Sequence, residues 1–309
     1  MVAISEVRAA NAALKNTHET LTAVFVGATS GIGLATLQAF AKQIPKPRAI
    51  IVGRKQARFA SELEHLKQLN PDGNFTFLES DIALIKNIDA VCQTIVARLG
   101  DDAKIDLLFA SQGYISFAGR ETNADGLDNS ISLRYYGRVR FAQNLLPHLS
   151  PDGGRVVSVL AGGQEGKILE DDLDLERNYS IMQSASQFAT MMTLSFDHLA
   201  VQSPQLGFIH VYPGLVSTGL LGRSATGILG YLFRYVLEPV LGLFASKPGE
   251  VGERMLYYGT SGQYATGSWS LDWDGKAKEG EVLREYREKG WAEKVWEHDQ
   301  RMFERAVAK

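Results

Sequence analysis

The feature that most constrains this chain is a glycine-rich segment that joins a buried strand to a helix. The apolar run at residues 23–26 precedes Gly27-Ala28-Thr29-Ser30-Gly31-Ile32-Gly33, and a helical pattern at 34–42 follows it. Glycines let the backbone turn tightly and approach a ligand, while the first helical turn and the helix dipole stabilise negative charge. The segment predicts a site for the diphosphate of a dinucleotide, formed by Gly27, Thr29, Ser30, Gly31, Ile32 and Gly33. A structural turn without a ligand is the alternative.

Apolar strand-like runs alternate with helical patterns along most of the chain. Strands are predicted at residues 22–26, 49–52, 75–78, 105–110, 155–160 and 207–212, and helices near 33–43, 55–69, 84–99, 125–149 and 179–202. Continuous apolar strands separated by helices indicate a parallel sheet covered on both faces. We therefore predict an α/β fold, a single-domain, doubly wound Rossmann sheet over residues 22–270. A helical extension (1–21) precedes it, and a charged helical tail (271–309) follows it.

Composition limits the classes of partner. The 309 residues are 45% hydrophobic with a net charge of −3, which is ordinary for a soluble protein and gives no electrostatic footprint for nucleic acid. The single cysteine, Cys92, excludes an internal disulfide and a thiolate cluster for zinc. No histidine pair has metal-ligand spacing, so we predict no metal. A cytoplasmic or similarly reducing location is the simplest interpretation.

A long apolar stretch interrupts the alternation after residue 218. Residues 227–245 are strongly apolar but carry Arg234, Glu238 and Pro239. A membrane-spanning helix needs roughly 20 residues with almost no charge, so no transmembrane span is predicted. We interpret residues 219–247 as a lid over an apolar substrate pocket. Weak contact with a lipid surface is the alternative.

The end of the second strand bears on the choice of cofactor. Sites for NAD usually place an acidic residue about 20 residues after the glycines to hold the ribose 2′-hydroxyl. This chain has Gly53-Arg54-Lys55 there. Two cations suit a 2′-phosphate, because a guanidinium binds phosphate oxygens bidentately. Arg54 and Lys55 therefore predict NADP(H), with a solvated helix start as the alternative.

Over residues 22–218 the chain resembles the short-chain dehydrogenase/reductase family. Its glycine turn, Asp81-Ile82, Leu145-Leu146-Pro147 and the loop from Pro213 to Thr218 match family motifs, whereas Ala110-Ser111-Gln112-Gly113 departs from Asn-Asn-Ala-Gly at three positions. The resemblance implies further cofactor contacts from Asp81, Ile82, Ser111, Gly113, Pro213, Gly214, Val216 and Thr218. The style of the sequence is also similar to fungal members from secondary-metabolite biosynthesis.

The positions that carry catalysis in the family look altered. Active members have an Asn, a Ser and a Tyr-x-x-x-Lys, in which Lys lowers the pKa of the catalytic Tyr. Here Arg134 stands at the Asn position, Leu160 or Ala161 at the Ser position, Tyr179 near the Tyr position, and Gln183 four residues later. The resemblance implies Tyr179 as proton donor, and Arg134 would stabilise developing charge on a substrate oxygen. A packed tyrosine and a surface arginine are the alternatives.

These residues favour an NADP(H)-dependent oxidoreductase that reduces a carbonyl or imine of an apolar secondary-metabolite intermediate. Without a nearby cation, about one part in a thousand of a phenol is ionised at pH 7. The loss of Ser and Lys therefore leaves two alternatives, a redox-neutral isomerase or cyclase and a non-catalytic nucleotide-binding protein. The resemblance also implies a homo-oligomer formed through helices 125–149 and 179–202, unless the C-terminal segment blocks that pairing.

Overall fold

Seven parallel strands form the sheet of this computed structural model, which describes residues 2–100, 104–217 and 245–309. Their order is β3-β2-β1-β4-β5-β6-β7. The strands are β1 (Thr22–Val26), β2 (Arg48–Gly53), β3 (Asn74–Glu79), β4 (Leu107–Ala110), β5 (Arg155–Val159), β6 (Gly207–Val211) and β7 (Gly267–Leu271). This is the predicted Rossmann-like α/β fold.

Helices cover both faces of the sheet. In chain order they are α1 (Ile4–Thr17), α2 (Gly31–Gln43), α3 (Gln56–Leu69), α4 (Ile85–Leu99), α5 (Asn129–Ile131), α6 (Gly137–Leu145), α7 (Ile181–Gln202), α8 (Pro248–Thr260), α9 (Glu281–Glu288) and α10 (Trp291–Ala308). Side chains of α2, α3 and α8 form one buried apolar cluster, and those of α4, α6, α7 and α10 form the other. The strands between them are buried on both sides, which explains their continuous apolar sequences.

The strand order reverses next to β1. The chain passes from β1 to β2 and β3 on one side, then returns so that β4 pairs with the other side of β1. The connections from β1 and from β4 therefore leave the sheet in opposite directions and open a crevice at the carboxyl ends of these strands. Ligands of open α/β sheets bind at this point, and the glycine turn at residues 27–33 lies there.

Several elements differ from their sequence patterns. Strand β7 and helix α8 were not predicted; β7 alternates serine with larger residues, as expected for an edge strand. The helix predicted at 125–149 begins at Asn129 and contains a π-helical segment, Ser132–Tyr136. The predicted single C-terminal helix is two helices, because Gly290 adopts a φ of +69° between them.

The apolar lid and its surroundings are only partly described. The prediction for residues 219–247 falls outside the described residues except at 245–247, and so does Thr218. Among the helices that the structure describes, none has both the length and the apolarity required to cross a bilayer. The lid remains a prediction.

The C-terminal helix α10 is part of the core. Its Asp299 is fully buried, and the Tyr135 and Ser195 hydroxyls donate hydrogen bonds to Asp299 Oδ2 at 2.7 and 3.2 Å. Trp291 and Phe303 are buried, and the half-buried Trp296 stacks on a histidine of α7. Helix α10 therefore covers one face of α7 within the chain itself.

Asp299 makes the stability of this helix dependent on pH. Burial raises the pKa of the Asp299 carboxyl from 3.8 to about 8. Between these two pH values the folded protein retains a proton that the unfolded chain releases, so this group lowers the free energy of unfolding as pH rises. We expect Asp299→Asn to become progressively more stable than the wild type across this window, measured by urea unfolding at several pH values. The exposed Asp152→Asn is the control variant, and a difference for Asp299→Asn that does not change with pH would contradict the assignment.

Candidate functional site

The glycine turn packs directly against the residues that follow β4. Gly27 has a φ of +83°, and a Cβ placed on it would lie 2.3 Å from the Gln112 backbone nitrogen. A Cβ on Gly33 would lie 2.4 Å from Ser111 Oγ, which itself donates a hydrogen bond to the Gly27 carbonyl at 3.2 Å. Larger residues at either glycine would push the turn away from β4. Glycine is therefore required at both positions for the turn to pack against the residues that follow β4.

The N-terminus of α2 is open toward this crevice. Ser30 is the N-cap residue, but its side chain forms no capping hydrogen bond. Thr29 and Ser30 are exposed, while Gly31 and Ile32 are partly exposed. The first N–H groups of a helix have no partner within the helix, and the helix dipole favours an anion beside them. This end of α2 therefore has the properties of a phosphate site.

Gln112 supplies an independent indication of a ligand. Its side chain is only 6% exposed, and neither its Oε1 nor its Nε2 has a hydrogen-bond partner among the residues that the structure describes. A buried unsatisfied amide costs about 1–3 kcal/mol. Because Gln112 adjoins Gly27, a polar ligand bound along the glycine turn would lie beside this residue. Together with the uncapped helix, the site fits a dinucleotide.

The carboxyl ends of β2 and β3 hold the charged residues predicted to bind the adenosine half. Arg54 and Lys55 are exposed, and neither forms an ion pair with another described residue. The exposed Asp81 accepts the Ala83 N–H through Oδ1 at 3.2 Å. Ile82 is buried. Two solvent-accessible cations thus lie at this end of the crevice.

The loop after β6 provides the opposite wall. Gly214 adopts a φ of +75°, and a Cβ on it would lie 3.1 Å from Trp273 Cβ. Val216 forms an isolated parallel bridge with Ser246. Pro213 and Val216 are partly exposed. These residues lie at the carboxyl end of the sheet, on the same side as the glycine turn.

Arg134 lies in the π-helical segment and reaches across to α7. Its Nε donates to Ser130 Oγ at 3.0 Å and its Nη2 to Ser184 Oγ at 2.7 Å. The stem of the side chain packs on Gly113, where a Cβ would come within 2.6 Å of Arg134 Cγ. Burial lowers the pKa of the Arg134 guanidinium. Arg134 is therefore a mostly buried cation next to Gly113, not the surface cation of the alternative interpretation.

Tyr179 precedes α7, whose N-cap is Ser180. Burial raises the pKa of the Tyr179 phenol and Asp128 raises it further, while the Arg134 guanidinium opposes this rise. The phenol is therefore protonated at neutral pH. Tyr179 can donate a hydrogen bond or a proton, but it is a poor base.

The first turns of α7 carry a pair of amides at the spacing of Tyr-x-x-x-Lys. Gln183 Nε2 donates to Gln187 Oε1 at 3.0 Å, and Gln187 Nε2 donates to the Asp172 and Leu173 carbonyls. Gln187 also accepts the Leu169 N–H. Neither amide carries a charge or titrates. Gln183 and Gln187 therefore connect the start of α7 to the loop after β5.

Arg138 is a second buried cation, one helical turn after Arg134. It is 3% exposed; its Nη1 donates to Ser158 Oγ at 2.9 Å and to the Val159 carbonyl at 2.7 Å, and its Nη2 donates to the Gln112 carbonyl at 2.5 Å. Burial and the charge of Arg134 lower the pKa of Arg138 to about 9. Arg138 thus joins the carboxyl ends of β4 and β5.

A buried network supports the loop that follows β5. The Ala161 N–H donates to His210 Nε2 at 3.0 Å, so neutral His210 carries its proton on Nδ1, which faces Thr193 Oγ1 at 2.8 Å. Thr193 and Ser270 both donate to Glu165 Oε1. Burial lowers the pKa of His210 to about 3, so it stays neutral. The Glu165 side chain is therefore a buried hydrogen-bond acceptor in this network.

The sequence contains a signal for some of these residues. Ser158 and His210 are polar residues within the apolar runs of β5 and β6, where a polar side chain needs a buried partner. This signal does not identify Arg138 or Thr193 as the partner, because both lie far away in the sequence. Among the described residues no cluster of histidine, cysteine and acidic side chains is arranged to hold a metal ion.

Comparisons with known proteins identify the family of this chain. The family model for short chain dehydrogenases matches residues 21–227. An oxidoreductase of Emericella nidulans is 38% identical, with 99% of each chain covered. A short-chain dehydrogenase/reductase of Stachybotrys chartarum is 30% identical over 87% of this chain and 80% of its own.

A solved structure shares the fold at low identity. The L-sorbose reductase of Gluconobacter frateurii, crystallised with NADPH and L-sorbose, has a TM-score of 0.61 and 20% identity, covering 85% of this chain and 98% of its own. The matched relatives are oxidoreductases and support an oxidoreductase function. The chain belongs to the short-chain dehydrogenase family.

Proposed function

We propose that the protein is an NADP(H)-dependent oxidoreductase that reduces a carbonyl or imine group of an apolar substrate. The observation that carries this proposal is the arrangement of groups at the carboxyl end of the sheet. There, an uncapped helix start and a glycine turn lie next to Gln112 and Gly113, and Arg134 packs on Gly113. The carboxyl end of the sheet therefore combines groups suited to bind a diphosphate with a cation and a phenol suited to activate an electrophile.

The chain's own residues account for the binding of the cofactor. The glycine turn and the first N–H groups of α2 would hold the diphosphate, and Arg54 and Lys55 would hold a 2′-phosphate. The side-chain Oε1 and Nε2 of Gln112 would form hydrogen bonds with the same ligand. When bound in reduced form, a nicotinamide dinucleotide supplies a hydride.

Arg134 and Tyr179 would activate the acceptor. The guanidinium stabilises negative charge that develops on an oxygen, and the neutral phenol donates a proton to that oxygen or to an imine nitrogen. Reduction requires an acid in this step, so a protonated Tyr179 is suited to it. An imine or a polarised enone needs less proton transfer than a simple ketone, which agrees with the absence of the family's Lys from this turn of the helix.

A second candidate is a redox-neutral isomerase or cyclase on the same fold. Gln183 and Gln187 favour it, because neither can lower the pKa of a phenol. In that case the crevice would orient a reactive substrate without hydride transfer.

Calorimetric titration tests the cofactor assignment. We expect NADPH to bind more tightly than NADH, and the double variant Arg54→Ala/Lys55→Ala to weaken NADPH binding by about tenfold or more while leaving NADH unchanged, because a charge-assisted hydrogen bond is worth roughly 1.5–3 kcal/mol. The exposed Arg284→Ala is the control. Gly27→Ala should weaken both dinucleotides. Folded wild-type protein that binds neither dinucleotide would overturn the proposal.

Turnover tests the roles of Arg134 and Tyr179. With a panel of aromatic ketones and cyclic imines, we expect Tyr179→Phe to lower kcat by about 100-fold, the lower range for general acid catalysis. Arg134→Met should lower it similarly, whereas Tyr257→Phe on α8 should not. The rate should stay level through neutral pH and fall only above pH 10.0, the ordinary tyrosine value, because burial raises the pKa of Tyr179. Product formed without NADPH consumption would favour the redox-neutral candidate instead.

A further inference from the structure

Two positive charges lie side by side where the substrate would bind. Arg134 and Arg138 are one helical turn apart, which brings i and i+4 side chains to the same face. Their guanidinium groups, hereafter the guanidinium pair, hydrogen-bond to three hydroxyl groups, of Ser130, Ser184 and Ser158, and to the backbone carbonyls of Gln112 and Val159. All of these acceptors are neutral.

The guanidinium pair has no anionic partner among the described residues. Neither arginine forms an ion pair there. Asp128, whose charge influences Arg134, instead accepts the N–H groups of Ile131 and Glu121. Glu165, near His210, accepts two hydroxyl groups. Buried charges are normally paired, so the pair is an exception that points to a ligand.

Only one member of the pair can contact that ligand. Arg138 is buried, and its Nη1 and Nη2 donate three hydrogen bonds to the ends of β4 and β5. Arg134 is partly exposed, and its Nη1 forms no hydrogen bond with another described residue. The stem of Arg134 packs on Gly113, which has no side chain to displace it. Arg134 is therefore the contact, and Arg138 adds to the positive field behind it.

We propose that the substrate presents an ionised oxygen, a carboxylate or an enolate, to Arg134. This inference rests on the proposed function and specifies its substrate class as an acidic carbonyl compound rather than a neutral ketone. A guanidinium can bind the two oxygens of a carboxylate in one plane, and it can donate a charge-assisted hydrogen bond to the single ionised oxygen of an enolate. The negative charge of the substrate offsets the positive charge of the guanidinium pair. A carboxylate and an enolate both present the anionic oxygen that this requires.

Matched probes that differ only in charge test this inference. Binding of naphthoate and naphthamide to the full-length protein is measured by calorimetry, with and without saturating NADPH. Dimedone and its methyl enol ether form the enolate arm. In at least one of these two sets of probes, we expect the anion to bind about 10- to 100-fold more tightly than the matching neutral compound. This is the gain in affinity expected from a hydrogen bond to a charged group. The arm with the larger ratio distinguishes a carboxylate from an enolate.

Variants of Arg134 assign the preference to its charge. Arg134→Met and Arg134→Gln should bring the ratio close to one, and Arg134→Lys should retain part of it. Arg134→Gln keeps a hydrogen-bond donor, so it serves if the methionine variant does not fold. The exposed Arg284→Met is the matched control and should leave the ratio unchanged.

Two further measurements separate the possible outcomes. The Tm of Arg134→Met should equal or exceed that of the wild type, since the variant removes a buried charge with no carboxylate partner. NADPH affinity should stay within about twofold, because Arg134 is assigned to the substrate. Parallel losses of NADPH affinity and anion preference would assign Arg134 to the cofactor diphosphate and overturn this inference alone. Equal binding of anionic and neutral probes to the wild type would overturn it as well, while NADPH binding would still support the proposed function.

Discussion

The guanidinium of Arg138 connects the carboxyl ends of two neighbouring strands at the candidate site. It hydrogen-bonds to the Gln112 carbonyl after β4 and to Ser158 and Val159 at the end of β5. Strands end where their carbonyls lose ladder partners, and a single buried fork of donors satisfies three acceptors there. Gln112 in turn packs on Gly27, so the position of the glycine turn depends on the same contact.

This arrangement places charge where many folds avoid it. A buried guanidinium that bonds only neutral oxygens keeps its positive field, and the lowered pKa of Arg138 reflects burial together with repulsion from Arg134. The same end of the sheet carries the phenol of Tyr179, whose pKa is raised by burial, so that it stays protonated at neutral pH. The cation and the protonated phenol suit the proposed role of this site, which is to stabilise negative charge and to deliver a proton. The neutral amides of α7 strengthen the loops around it and take no part in proton transfer.

The alternation of apolar strands with helices was sufficient to predict the sheet, because strands buried on both faces must be continuously apolar. It failed at β7, whose serines reflect an edge position, and at α8, which follows residues without a clear period. It also missed the π-helical segment around Arg134. A one-residue widening of a helix changes hydrogen-bond spacing but leaves little trace in hydrophobicity. Tyr179 was assigned from the resemblance to the family, and helix α7 starts two residues after it.

Sequence alone determined the dinucleotide-type turn, the parallel sheet and the absence of the family's lysine, because each depends on local residue types and their spacing. Only the tertiary structure decided that Arg134 packs on Gly113 with only part of its side chain exposed, that Arg138 joins two strands, and that Glu165 lies inside a network with His210. These facts depend on residues far apart in the chain. Whether a charged side chain meets water, a carboxylate or a row of hydroxyl groups is settled only when those distant segments pack.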